Sequence, residues 1–194
     1  VLAGWGGTAA FAHLPVQPDP ATWQDPAQGG GFAWGQMSHA LGLLYWLTDL
    51  RAERVQAITG QANGIDLHDA AILRFEGGAT GSLSGSCAIP EGHGFEVDLR
   101  VYGTEGSFAL DIEAERAILK TPGGRREVLE PAPGGWRYSC EGPVNALADL
   151  AQGRGENASS GAVGARAVET LEALVASAGQ GGAAVEIARA TGRD

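Results

Sequence analysis

Alternation of apolar and polar residues at a period of two runs from residue 54 to 129, and helical periodicity brackets it on both sides. Phe95, Val97, Leu99 and Val101 alternate with Glu96, Asp98, Arg100 and Tyr102, which is the pattern of a half-buried strand. The stretch 68–75 places Asp69, Ala71, Leu73 and Phe75 on one side. Further strands are predicted at 54–60, 79–89, 107–112, 115–120 and 125–129, separated by turns such as Pro122-Gly123-Gly124. An apolar helix precedes the run at about 33–48. Two helices follow it. Pro143 starts one with an apolar face of Val144, Leu147, Leu150 and Ala151. Ser160 caps the other, which carries Val163, Ala167, Leu171, Leu174, Val175 and Ala178. Gly179-Gln180-Gly181-Gly182 stops that helix, and a short segment at 184–188 follows. This order predicts an α+β domain: an open, predominantly antiparallel sheet with helices packed on one face.

The other sheet face is unusual in composition. Thr80, Ser82, Ser84 and Ser86 share one side of their strand, opposite Gly81, Leu83, Gly85 and Cys87. Such a small-residue face permits close approach of a second copy of the chain, and it is equally compatible with a plain solvated surface. Residues 1–31 are rich in Gly and Pro, with Pro15, Pro18, Pro20 and Pro26 blocking a helix. They are expected to form an irregular lead-in, and residues 32–194 the folded domain.

The charge balance narrows the partners. The net charge is −10 with only 13 basic residues, so a nucleic acid or an anionic membrane surface would be repelled. No apolar stretch reaches the ~18–20 residues a membrane span requires. Cys87 and Cys140 have no metal-ligand spacing and read as buried free thiols, consistent with a reducing, cytoplasmic location. The sequon Asn157-Ala158-Ser159 carries no weight without a secretory signal. Val1-Leu2-Ala3-Gly4 lacks an initiator Met and a basic leader, so the chain is expected to be a fragment or a processed product.

The chemistry concentrates where Gly29-Gly30-Gly31 leads through Phe32-Ala33-Trp34-Gly35-Gln36-Met37 to Ser38-His39. Gly35, Gly42 and Trp46 stand three, four or seven residues from His39, so at helical spacing they share its face. Two of them lack a side chain, which leaves a hollow beside the imidazole. One reading makes His39 a proton-transfer group facing a small molecule; the other makes it a satisfied core residue with glycine packing contacts. His68 begins a strand beside Asp66 and Asp69, where it could line the site mouth, and is expected instead to be solvated; His93 lies at a hairpin tip; His13 sits in the proline-rich stretch. No pair has metal-ligand spacing, and no metal is expected.

These segments resemble the second domain of the Gfo/Idh/MocA oxidoreductases, the relatives of glucose–fructose oxidoreductase and inositol dehydrogenase. The resemblance runs through Gly29-Gly30-Gly31, Ser38-His39 and Tyr45-Trp46-Leu47-Thr48. It continues through the stretch from Asp69 to Thr80, the turn Tyr102-Gly103-Thr104-Glu105-Gly106-Ser107 and the helix from Ser160 to Ala178. It implies a two-domain enzyme. An N-terminal Rossmann domain would hold NAD or NADP and supply a Lys from Glu-Lys-Pro; the C-terminal α+β domain would hold the substrate and form a dimer or tetramer through its open sheet. The sequence has no Glu-Lys-Pro. Gly4-Trp5-Gly6-Gly7-Thr8-Ala9 matches the dinucleotide spelling, but three preceding residues and a following proline-rich stretch leave no room for its strand and helix. This chain alone is therefore expected to bind no cofactor.

By the same resemblance His39 takes the catalytic position, with Gln36, Trp34 and His13 near the substrate. The family pattern Asp-x-x-x-His is broken, because Gly35 stands at the Asp position and Gly42 where a further Asp is common. Oxidising an alcohol by hydride transfer requires a base for the hydroxyl proton, and imidazole suits that task. Two functions follow. The chain is the substrate and oligomerisation domain of an NAD(P)-dependent oxidoreductase of a sugar, cyclitol or related polyol; alternatively, it is a non-catalytic binding or assembly protein that has kept the fold and lost the catalytic Asp.

Overall fold

A computed structural model describes the strand Leu2–Trp5 and residues 25–62, 64–87, 97–130 and 141–189. Each alternating segment forms a strand. These are β2 (Ala52–Ala62), β3 (Ile65–Phe75), β4 (Thr80–Ser86), β5 (Val97–Gly103), β6 (Gly106–Asp111), β7 (Arg116–Lys120) and β8 (Arg126–Leu129). The helices are α1 (Ser38–Thr48), α2 (Glu141–Ala151) and α3 (Gly161–Gly179). Two further strands lay outside the expectation. The stretch expected to be irregular opens with β1 (Leu2–Trp5), and β9 (Val185–Glu186) follows α3. Among the described residues the sheet order is β8-β7-β6-β5-β1-β4-β3-β2-β9. β1 is parallel to β4 and antiparallel to β5; the remaining pairs are antiparallel. A central strand of four residues is too short for periodicity to announce.

The sheet's inner face carries the core. Ala71, Leu73 and Phe75 of β3 are buried, and Leu83, Val97, Leu99 and Leu110 extend that layer across the neighbouring strands. Leu41, Leu44 and Tyr45 of α1 and Leu171 and Leu174 of α3 pack onto it. Several polar groups in the core find partners one by one. The Tyr45 hydroxyl lies 2.6 Å from Thr170 Oγ1, and the Ala57 amide donates to Ser177 Oγ at 2.8 Å. Ser177 in turn donates to the Ala183 carbonyl at 2.6 Å. Residue 57 lies beyond the short β9 pairing, which covers Arg54 and Val55, so Ser177 supplies the acceptor that β9 does not.

Two helix details depart from expectation. Ser160 occupies the N-cap of α3 without a side-chain capping bond, and Val175 is exposed. In α2 the expected apolar face exists, yet Val144 and Leu147 are 62% and 69% exposed. Periodicity specified that helix without specifying anything for it to pack on. No helix among the described residues is long and apolar enough to cross a membrane.

Candidate functional site

The glycine-rich segment enters over the inner face of the sheet. Asp25 organises the approach: its carboxylate accepts from the Ala27 amide at 2.9 Å and the Gln28 side chain at 2.7 Å, and its carbonyl accepts from Gly30 N–H at 2.9 Å. Helical backbone then begins at Phe32, and its first stretch, Ala33–Met37, is a π turn that passes into α1. Hydrogen bonds of the i→i+5 type make this turn wider than an α turn, a local irregularity that recurs at functional sites.

A carboxylate from the sheet fixes where the turn begins. Asp66 Oδ2 accepts the Ala33 amide at 2.6 Å, satisfying a donor that a helix N-terminus leaves without an intrahelical partner. Its charge also lies favourably against the positive end of the helix. Gly31 is buried at φ +111°, and a Cβ there would fall on Asp66 Oδ1. Asp66 therefore grips the chain through a position that only glycine can occupy.

Beside Asp66 lies a second carboxyl that the sequence reading passed over as a functional group. Asp69 is 3% exposed, and neither of its oxygens meets a hydrogen-bond donor. Burial foremost, with the charge and the facing oxygens of Asp66 adding, pushes its carboxyl up to about 8. A register shift brings the pair together. Gly60 pairs with His68 but Gln61 pairs with Asp66, so β3 holds one extra residue and the side-to-side alternation breaks between the two aspartates. The Cys87 thiol, half-buried just beyond β4, is also pushed up, chiefly by burial and further by both carboxylates. Cys140 lies outside the described residues.

The expected site residues divide. His39 is exposed on the first turn of α1, so it is not a core histidine. A Cβ at Gly42 would meet nothing within 4 Å, and Trp46 is 56% exposed with its indole N–H donating to the Ala158 carbonyl at 2.7 Å. The hollow beside His39 is thus open surface on that side. Gln36 is half-buried in the π turn; Trp34 is half-buried and packs against the core. His13 and His93 lie outside the described residues. His68 is half-buried rather than simply solvated: it covers Gly60, and its Nδ1 stands 3.2 Å from Ser86 Oγ.

Gly4, first glycine of the dinucleotide spelling, sits inside β1 and pairs with Ser84 on one side and Asp98 on the other. That is a ladder position, not the turn a pyrophosphate needs; residues 6–9 lie outside the described residues. Among the described residues no three His, Cys, Asp or Glu side chains converge to hold a metal ion.

Comparison with known proteins follows the same outline. Levoglucosan dehydrogenase, in complex with NADH and levoglucosan, superposes with a TM-score of 0.72 at 15% identity over 97% of this chain. An NAD binding oxidoreductase from Klebsiella pneumoniae gives 0.74 at 20% over 98%, and an oxidoreductase from Sinorhizobium meliloti gives 0.69 at 20% over 95%. The chain spans 58%, 59% and 55% of those three proteins, and at such identities the likeness establishes the fold. A search of curated proteins finds no significant match. Residues 7–109 match the GFO/IDH/MocA C-terminal domain model, a match that starts inside the stretch expected as a lead-in and takes in the glycine turn, α1 and β2–β5. With that match over half its length and the fold agreeing throughout, the chain belongs to the GFO/IDH/MocA C-terminal domain family.

Proposed function

We propose that this chain is the substrate-binding and oligomerisation part of an NAD(P)-dependent oxidoreductase that acts on a sugar, cyclitol or related polyol. The nicotinamide would be held by a further domain of the same polypeptide. The observation that carries the reading is the position of His39, exposed on the first turn of α1 just beyond a backbone segment anchored by Asp66. A side chain so placed can accept a hydroxyl proton from a bound polyol; a nicotinamide held by the further domain would supply the hydride acceptor. Gln36, His13 and Trp34 are assigned to the polyol: the first two by hydrogen bonding, Trp34 by apolar contact.

Oligomerisation is assigned to the outer sheet face. There Ile58 and Ile72 are 66% and 63% exposed, beside Ala70, Ser82 and Ser84 on adjoining strands. Exposed isoleucines among short side chains support contact with a like surface.

The competing assembly-protein reading draws on Gly35, which leaves the π turn without a carboxylate beside His39. One experiment separates the two. The full-length polypeptide is assayed against a panel of sugars and cyclitols with NAD and with NADP, and its oligomeric state is measured alongside. Cofactor reduction with at least one polyol supports the oxidoreductase; a stable oligomer inert to the whole panel supports assembly.

A further inference from the structure

The glycine turn and the start of the helix rest on two carboxyl groups, and their surroundings differ sharply. Asp66 faces the amide of Ala33 and the positive end of the helix, which favour its charge. Asp69 faces no donor, and at 3% exposure it is shielded from most of the water around the fold. A buried carboxylate in that position would be uncompensated, while a carboxylic acid there can donate to the oxygens of Asp66.

We propose that Asp66 and Asp69 share one proton, and that this proton sets the position of the turn bearing Trp34, Gln36 and His39. While Asp69 holds the proton, it donates to Asp66 and orients that carboxylate toward the Ala33 amide. When the proton leaves, two like charges face each other in an apolar setting, and Asp66 can separate from Asp69 only by loosening its grip on Ala33. The step is a plain acid dissociation: the O–H bond of Asp69 breaks and its proton passes to water. Asp69 is thus a positioning residue acting through Asp66 and the backbone.

Few other groups compete for this proton. The ladder partners of Asp69, Thr59 of β2 and Gly85 of β4, are uncharged. The covering segment 29–38 carries no ionisable side chain. Among the described residues, the titratable groups facing it are Asp66 on its own strand and the Cys87 thiol beyond β4. Neighbouring His68 lies instead against Gly60 and Ser86.

The clamp itself does not depend on the oxidoreductase reading; only its consequence for turnover does. The test is an NMR pH titration of this chain with 13C-labelled aspartate and 15N-labelled backbone. The Asp69 carboxyl carbon is expected to keep the shift of a protonated acid at about pH 6 and to titrate near 8, with the Ala33 amide moving at the same midpoint. In Asp69→Asn, whose side-chain amide still donates to Asp66, the Ala33 amide should hold its low-pH position throughout. In Asp66→Asn it should be displaced at every pH. An Asp69 carbon already ionised at about pH 6, or an Ala33 amide indifferent to the transition, overturns the proposal. The wild-type titration alone decides this if a variant fails to fold. Either result leaves the polyol assay untouched, so the two readings fail separately.

Discussion

Tyr45 donates its hydroxyl to Thr170 Oγ1 at 2.6 Å, because the one Thr170 hydroxyl hydrogen is already given to the Arg166 carbonyl at 2.8 Å. The pair ties α1 to α3 inside the core. Both residues are about 1% exposed, and burial foremost pushes the phenol up to about 12, so it stays neutral. Thr170→Val would strand a buried hydroxyl and should cost about 1–3 kcal/mol. Tyr45→Phe combined with Thr170→Val should recover part of that loss, because no donor is left unsatisfied. Urea denaturation of the single and double variants checks both signs.

Gly31 and Gly29 provide a matched pair. Both have positive φ, +111° and +76°, but a Cβ at Gly29 meets nothing within 4 Å, whereas one at Gly31 falls on Asp66. Gly29→Ala should cost only the ~1–2 kcal/mol of left-handed backbone. Gly31→Ala should cost clearly more and displace the Ala33 amide resonance. Equal losses in thermal melts would dissociate Asp66 from the turn.

Asp69 makes stability fall as pH rises. Its carboxyl is raised from the ordinary 3.8 to about 8 on folding, so between these values the folded state binds more protons than the unfolded one. Stability should therefore decline from about pH 4 to about pH 8 and level off above, by about 6 kcal/mol at most from this group. Asp69→Asn should flatten the profile and melt above the parent at about pH 9. A parent profile that rises across this window and is unchanged by Asp69→Asn would contradict the assignment.

Much of the fold was legible because alternation and helical spacing are local signals. The strands from β2 to β8 and the helix carrying His39 all appear where the pattern placed them, with ends shifted by a few residues. What escaped depends on pairing. β1 has four residues, and its central place is set by partners about eighty and ninety-five positions away. Asp66 and Asp69 are three apart, so strict alternation puts them on opposite faces; the extra residue between them puts them together. Apolar spacing at 33–48 fits either an α-helix or one that opens with a π turn. Asp69 shares its row with Ala71, Leu73 and Phe75, and the legible signal is a carboxyl in an otherwise apolar row.

The role of His39 is decided by turnover and melting temperature measured on one variant of the full-length polypeptide. His39→Ala should lower kcat on the best polyol substrate by about two to four orders of magnitude, the usual contribution of a positioned acid–base group. The melting temperature should barely move, because His39 is exposed and its loss opens no cavity. A large fall in melting temperature with near-normal turnover per folded molecule would contradict the account and make His39 a structural residue.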